Sequence, residues 1–225
     1  MQAEPQTPLA AIVLCGGKSS RMGHSKAWLP FGAEPMLNRV VRIVSQFARP
    51  VAVVQAAGQN LPELPTEIGQ VTDLLPERGP LGGLQAGLTS LQHRAEYVYA
   101  TSCDVPLLEP EWVRALARLV DDYDCVVPVE GEFHHPLAAI YHTRVLPELV
   151  ELLAADRLRP VYLFERVRTR RVPIDELRQW DPELRSLWNL NRPVDYYRAL
   201  EVAGFPRPTQ LPGPFSEPPP ESSQR

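Results

Sequence analysis

The sequence predicts an α/β fold, a three-layer sandwich built on a mostly parallel, Rossmann-like sheet. Three observations predict it. Apolar runs of strand length alternate with stretches of helical periodicity over most of the 225 residues. The first run, Leu9 to Cys15, is apolar throughout, as in a strand buried on both faces. It stops at Gly16-Gly17, where the backbone can take positive φ and approach a ligand closely. In such sheets ligands bind beyond the carboxyl ends of the strands. The loops after Cys15, Gln55 and Cys103 are therefore expected along one edge.

The remaining elements follow in order. Met36, Leu37, Val40, Val41, Val44 and Phe47 share one face of a helix over residues 36–48. Pro50 ends it, and Val51 to Gln55 reads as the second strand. Val71 to Leu75 reads as a short third strand. Leu84, Leu88 and Leu91 mark a helix opened by Gly82-Gly83, and Tyr97 to Cys103 is a strand that ends at Asp104. Val113, Leu116, Ala117 and Val120 align on a helix over residues 111–120. Residues 125–129 and 137–141 read as strands, 145–154 as a helix, 170–174 as a late strand and 194–202 as a closing helix.

Composition excludes some function classes. Lys and Arg total 23 against 27 Asp and Glu, for a net charge of -4, and the basic residues form no long runs. That balance argues against a nucleic-acid partner. The three cysteines, Cys15, Cys103 and Cys125, have neither even count nor paired spacing, so buried reduced thiols are expected rather than disulfides or zinc. No basic region precedes the first apolar run, and that run is too short for a signal core or a span. A soluble, cytoplasmic protein with no membrane partner is expected. Residues 1–8 are expected to be a flexible lead-in, 9–203 the folded domain and 204–225 a disordered tail. The segment Pro206 to Arg225 is rich in Pro, Ser and Glu and offers little apolar surface to offset ordering entropy. A proline-rich ligand for a partner is the functional alternative for it.

Four segments could carry chemistry. The first is the loop after Cys15, with Gly16, Gly17, Lys18, Ser19, Ser20, Arg21, Gly23 and Lys26. Its N–H groups and hydroxyls can face phosphate oxygens, with Arg21 as a planar fork and Lys26 as a compact charge. An ordinary polar turn reads the same way when the loop is taken alone. The second is Thr101-Ser102-Cys103-Asp104-Val105-Pro106. An aspartate closing an apolar strand suits Mg2+, which takes oxygen ligands and substrate phosphates, and it equally suits a loop cap. The third, Arg78-Gly79-Pro80-Leu81-Gly82-Gly83, opens a helix whose glycines could face a ligand and whose N-terminus favours an anion. In the fourth, His134 and His135 should point to opposite faces, which makes them poor joint ligands for one metal. No Ser-His-Asp set or HExxH motif is present.

Together these segments resemble one family. The run Leu14-Cys15-Gly16-Gly17, then Ser19, Arg21-Met22-Gly23 and Lys26, is similar to the signature of molybdenum cofactor guanylyltransferases. These are enzymes of the glycosyltransferase-A-like nucleotidyltransferase fold. The likeness continues through Phe31 to Leu37, Gly79 to Gly83, Cys103-Asp104-Val105-Pro106, His135-Pro136-Leu137 and Asn189-Leu190-Asn191-Arg192-Pro193.

The resemblance implies transfer of GMP from GTP to a molybdopterin-type cofactor, with other cofactor-biosynthesis or recipient proteins as further partners. Leu14, Cys15, Gly16 and Gly17 would hold the nucleotide. Arg21, Lys26 and Asp104 would be catalytic, with Asp104 on Mg2+. Gln55 and Asp73 would contact base or ribose, and Asn189 and Asn191 the acceptor. The chain departs from the pattern at Ser25, where relatives carry an acid, at Cys15 for alanine and at Gln55 for asparagine. Two alternatives stay open. One is a same-fold enzyme using CTP or a sugar phosphate, although the second glycine leaves room for a purine edge. The other is a non-catalytic GTP-binding protein that delivers the cofactor.

Overall fold

The computed structural model describes residues 8–16, 25–75 and 77–208. The strands are β1 (Leu9–Leu14), β2 (Pro30–Phe31), β3 (Glu34–Pro35), β4 (Val51–Ala56), β5 (Gly69–Asp73), β6 (Tyr97–Ser102), β7 (Cys125–Glu130), β8 (Phe133–His134), β9 (Ala138–His142) and β10 (Thr169–Pro173). The helices are α1 (Met36–Val44), α2 (Gly79–Leu91), α3 (Pro110–Ala117), α4 (Leu146–Ala154), α5 (Val161–Arg166), α6 (Ile174–Leu177) and α7 (Pro193–Val202).

The main sheet runs β10-β7-β9-β6-β1-β4-β5, with β8 added to β7. Pairs β1–β4, β1–β6, β4–β5 and β7–β10 are parallel. Strand β9 runs against both β6 and β7. The connection from β7 through β8 to β9 is too short for a parallel crossover, so the chain must turn back.

Strand β1 lies in the middle and is buried at every position. Its pleat divides the core. Leu9, Ala11 and Val13 join the cluster under α1 and α3, while Ala10, Ile12 and Leu14 join the one under α2 and α4. Two glycines bring α2 down onto this strand. A Cβ on Gly87 would lie 2.8 Å from Ile12 Cδ1, and one on Gly83 2.8 Å from Leu14 Cδ2. Gly83, expected to face a ligand, instead serves helix–sheet packing, because any side chain there would push the helix off β1.

A third cluster joins the β2–β3 hairpin to α7 through Leu29, Phe31, Met36, Leu190, Tyr196 and Leu200. Packing continues past residue 203, the expected end of the domain. The Phe205 ring meets Phe31 edge-on at 5.6 Å, and the Arg39 guanidinium lies 4.9 Å from Phe31 and 5.3 Å from Phe205. Residues 1–7 and 209–225 lie outside the described residues.

Several elements differ from expectation. The third strand falls two residues earlier, at Gly69–Asp73, because Leu74 and Leu75 turn outward while the Asp73 carboxylate accepts from the Leu75 N–H. Helix α5 was not anticipated. At six residues it is too short for periodicity to show, and burial of Leu163 and Phe164 holds it. The β2–β3 hairpin is also new to the fold, turning at Gly32 with φ +72°.

Candidate active site

Strands β1, β4 and β6 are parallel neighbours, so their C-terminal ends share one edge. Leu14, Cys15 and Gly16 leave β1 there, Gln55 and Ala56 close β4, and Asp104 follows β6. Asp73 ends β5 on the same edge, with Ala56 paired to it in register. The sheet continues briefly beyond its strands through Cys15 N–H to Val54 O (2.7 Å) and Cys103 N–H to Leu14 O (3.0 Å).

Asp104 is one of the few buried charged side chains of the described residues. Its Oδ2 accepts from Lys26 Nζ at 2.7 Å, and its Oδ1 accepts from the Ser102 hydroxyl. Ser102 lies two residues before Asp104, the spacing that puts side chains on one face of a strand. Lys26 is delivered by a single 3₁₀ turn, Lys26–Trp28, seated by the fully buried Ala27 and by Trp28 Nε1 donating to Asn60 O at 3.0 Å. The same ammonium donates to Asn191 Oδ1 at 2.8 Å.

The Asn189–Asn191 segment is pinned at its middle. Leu190 is buried against the β2–β3 hairpin, and its N–H donates to Asp104 O at 3.0 Å. With Leu190 turned inward, its neighbours are left outward, Asn191 on Lys26 and Asn189 exposed. One lysine thus joins the end of β6 to a segment near the end of the chain.

The thiols of Cys15 and Cys103 face each other under this edge. The hydrogen bond from Cys103 and then burial push the Cys15 thiol well above its ordinary range. Burial does the same for Cys125. All three cysteines are free and buried, in line with the expectation.

Other expected residues spread along the edge. His134 and His135 diverge. His134 stacks on Phe164 with ring centroids 5.3 Å apart and accepts from Arg171 Nε, whereas His135 meets Phe133 edge-on. Burial lowers the His135 pKa, and its buried Nε2 finds no hydrogen-bond partner among the described residues. Gly17 and Arg21 lie outside the described residues, as does the rest of the loop through residue 24. Two contributors were missed. Ser102 had a signal in its spacing from Asp104. Gln59 had none, since it sits in a turn beyond β4, where its amide donates to Cys15 O at 3.1 Å.

A buried carboxylate at a strand end, a lysine bonded to it and an exposed glycine on the same edge are groups of the kind that can face a polyphosphate. Comparison with known proteins gives the family. The MobA-like NTP transferase domain matches residues 11–170. The chain belongs to the MobA-like NTP transferase family. It is 32% identical to the molybdenum cofactor guanylyltransferase of Desulfosudis oleivorans, over 85% of this chain and 94% of that protein. It is 34% identical to the probable molybdenum cofactor guanylyltransferase of Mycobacterium avium, over 87% of this chain and 96% of that one. Its fold is similar to that of molybdopterin-guanine dinucleotide biosynthesis protein A from Archaeoglobus fulgidus, with a TM-score of 0.72 at 23% identity, covering 87% and 98% of the two chains.

As a MobA-like transferase the chain is a nucleotidyltransferase, and the matched segment contains Lys26, Asp73 and Asp104. Asn191 lies beyond the matched residues and reaches the site through Lys26. No helix of the described residues is long and apolar enough to cross a membrane.

Proposed function

We propose that this protein transfers GMP from GTP to the terminal phosphate of a molybdopterin-type cofactor, yielding the guanine dinucleotide and pyrophosphate. The observation that carries this reading is the Lys26 bridge between Asp104 and Asn191 at the shared strand edge. The relatives' activity supports the choice of nucleotide and acceptor.

In the reaction an anionic oxygen of the acceptor phosphate bonds to the α-phosphorus of GTP. The bond from that phosphorus to the bridging oxygen breaks, and pyrophosphate leaves with its electron pair. The nucleophile is already ionised, so no side chain need remove a proton. The protein's work is alignment and charge stabilisation. Leu14, Cys15, Gly16, Gln55 and Asp73 hold base and ribose, and Gly17 and Arg21 the phosphates. Lys26, steadied by Asn191, sets its ammonium against the transferring group. Asn189 and Asn191 face the acceptor.

A metal fits the donor set. Asp104 and the Asn191 carboxamide are hard oxygen ligands, and one carboxylate with substrate phosphates is the usual holding of Mg2+. Asp104 would hold the ion, and Ser102 and Lys26 would fix the carboxylate's orientation. The ion would supply positive charge to the phosphates. A cytosolic location is the setting in which reduced thiols and nucleotide triphosphates coexist.

Incubation with GTP, Mg2+ and molybdopterin cofactor, followed by mass detection, tests the reading. Guanine dinucleotide and stoichiometric pyrophosphate are expected. GTP binding without pyrophosphate release would instead mark a carrier, and CTP turnover exceeding GTP turnover would reassign the nucleotide.

A further inference from the structure

We infer that Gln59 is a positioning residue for the nucleobase, holding β1 and β4 apart by one amide at the edge where the base enters. This rests on the nucleotidyltransferase reading above, which places the base against Leu14 to Gly16.

The argument starts from the parallel ladder. Ala11 pairs with Val51 and Leu14 with Val54, and Ala11 N–H donates to Pro50 O at 3.0 Å. The same alternation brings Cys15 N–H to Val54 O at 2.7 Å. The next rung of this ladder is Ala56 N–H to Cys15 O. That bond is replaced. Ala56 N–H donates to Gln59 Oε1 at 3.0 Å, and Gln59 Nε2 donates to Cys15 O at 3.1 Å. A side-chain carboxamide has been inserted into the rung as a surrogate peptide group, with its acceptor toward β4 and its donor toward β1.

The turn that carries Gln59 is built for this. Gln59 N–H donates back to Ala56 O at 3.1 Å, and Gly58 takes φ +73° between them. Nothing lies within 4 Å of a Cβ on Gly58, so its glycine answers a conformational need, not a steric one. Asn60, next in the chain, accepts from Trp28 Nε1 and so ties this turn to the one that delivers Lys26.

The consequence is geometric. One direct rung would draw the strands together at about 4.8 Å, the ordinary spacing. Two bonds in series through an amide hold their ends further apart. The rung that Gln59 fills lies beside Gly16: a Cβ there would lie 3.8 Å from the Ala56 nitrogen. A flat base needs such a gap, whereas the phosphates, held around Lys26 and Asp104, do not. Gln59 therefore acts on the base through the backbone of Cys15 and Gly16.

Two variants separate this from a general structural role. Gln59→Leu keeps the bulk and loses both bonds. Gln59→Glu keeps the acceptor but sets a carboxylate against the Cys15 carbonyl, and serves if the leucine variant does not fold. Calorimetry with GTP, CTP and tripolyphosphate, each with Mg2+, provides the readout. The expected result is GTP affinity weakened by about tenfold, as for loss of one or two net hydrogen bonds, with tripolyphosphate affinity unchanged.

Unchanged or tightened GTP binding overturns the proposal, and so does equal weakening of GTP and tripolyphosphate. If the wild-type protein prefers CTP, the guanine assignment fails. Gln59 then stands or falls on whether the variants weaken CTP while sparing tripolyphosphate. A wild-type protein that binds every nucleotide no better than tripolyphosphate removes the base slot and this role with it.

Discussion

Lys26 meets partners 78 and 165 residues away in the chain, and both meetings occur on one ammonium group. Removing either member of the partly buried Lys26–Asp104 pair leaves the other's charge without its partner and, under the proposed function, removes a stabiliser of the transferring group. Asp104→Ala and Lys26→Ala are each expected to lower the rate of dinucleotide formation by about 10²–10³-fold, the range for loss of one transition-state stabiliser. Single-turnover assays on folded protein check this. Near-normal rates in Asp104→Ala would remove that residue from the machinery. At this scale the groups gathered in the candidate site were partly legible in the sequence. Asp104 announced itself by closing an apolar strand, and Gly16 by ending another. Lys26 stood a fixed distance along a polar loop. Gln59 was not legible, because its role depends on where β1 leaves the sheet at Cys15, 44 residues earlier in the chain.

Helix α2 shows what an element's sequence conceals. Its glycines read as a loop that could admit a ligand, yet Gly83 and Gly87 lie against Leu14 and Ile12. Filling Gly87 sets two terms in opposition. Alanine gains about 1 kcal/mol of helix propensity. Overpacking against Ile12, where the nearest carbons would lie at 2.8 Å, costs ~1–3 kcal/mol. Gly87→Ala is therefore expected to lower the urea midpoint with no change in m-value, and Gly87→Leu to lower it further. A raised midpoint for the alanine variant would show that α2 can shift away from β1 without loss. Because β1 carries Leu14 to Gly16, the same variants are expected to weaken nucleotide binding as they loosen the strand beneath it.

For the whole molecule, acid is expected to destabilise. Burial holds His135 and His142 below the ordinary imidazole pKa of 6.5. The unfolded chain then binds more protons than the folded one as pH falls through that value, so stability rises with pH there and is lost on acidification. Unfolding measured between pH 7 and pH 5 should show this slope, flatter in a His135→Gln protein; an identical slope would remove His135 as a source. What could be read along the chain was local: the continuous apolar run of β1, the helical stripe of α1, the glycine exit and the aspartate at a strand end. Each follows from backbone geometry and solvation acting over a few residues. The reversal of β9, the docking of Phe205 on Phe31, the inserted amide of Gln59 and the reach of Lys26 to Asn191 are of another kind. They join segments far apart in the chain, and their free energies arise from packing that exists once the sheet has formed, so no local pattern records them.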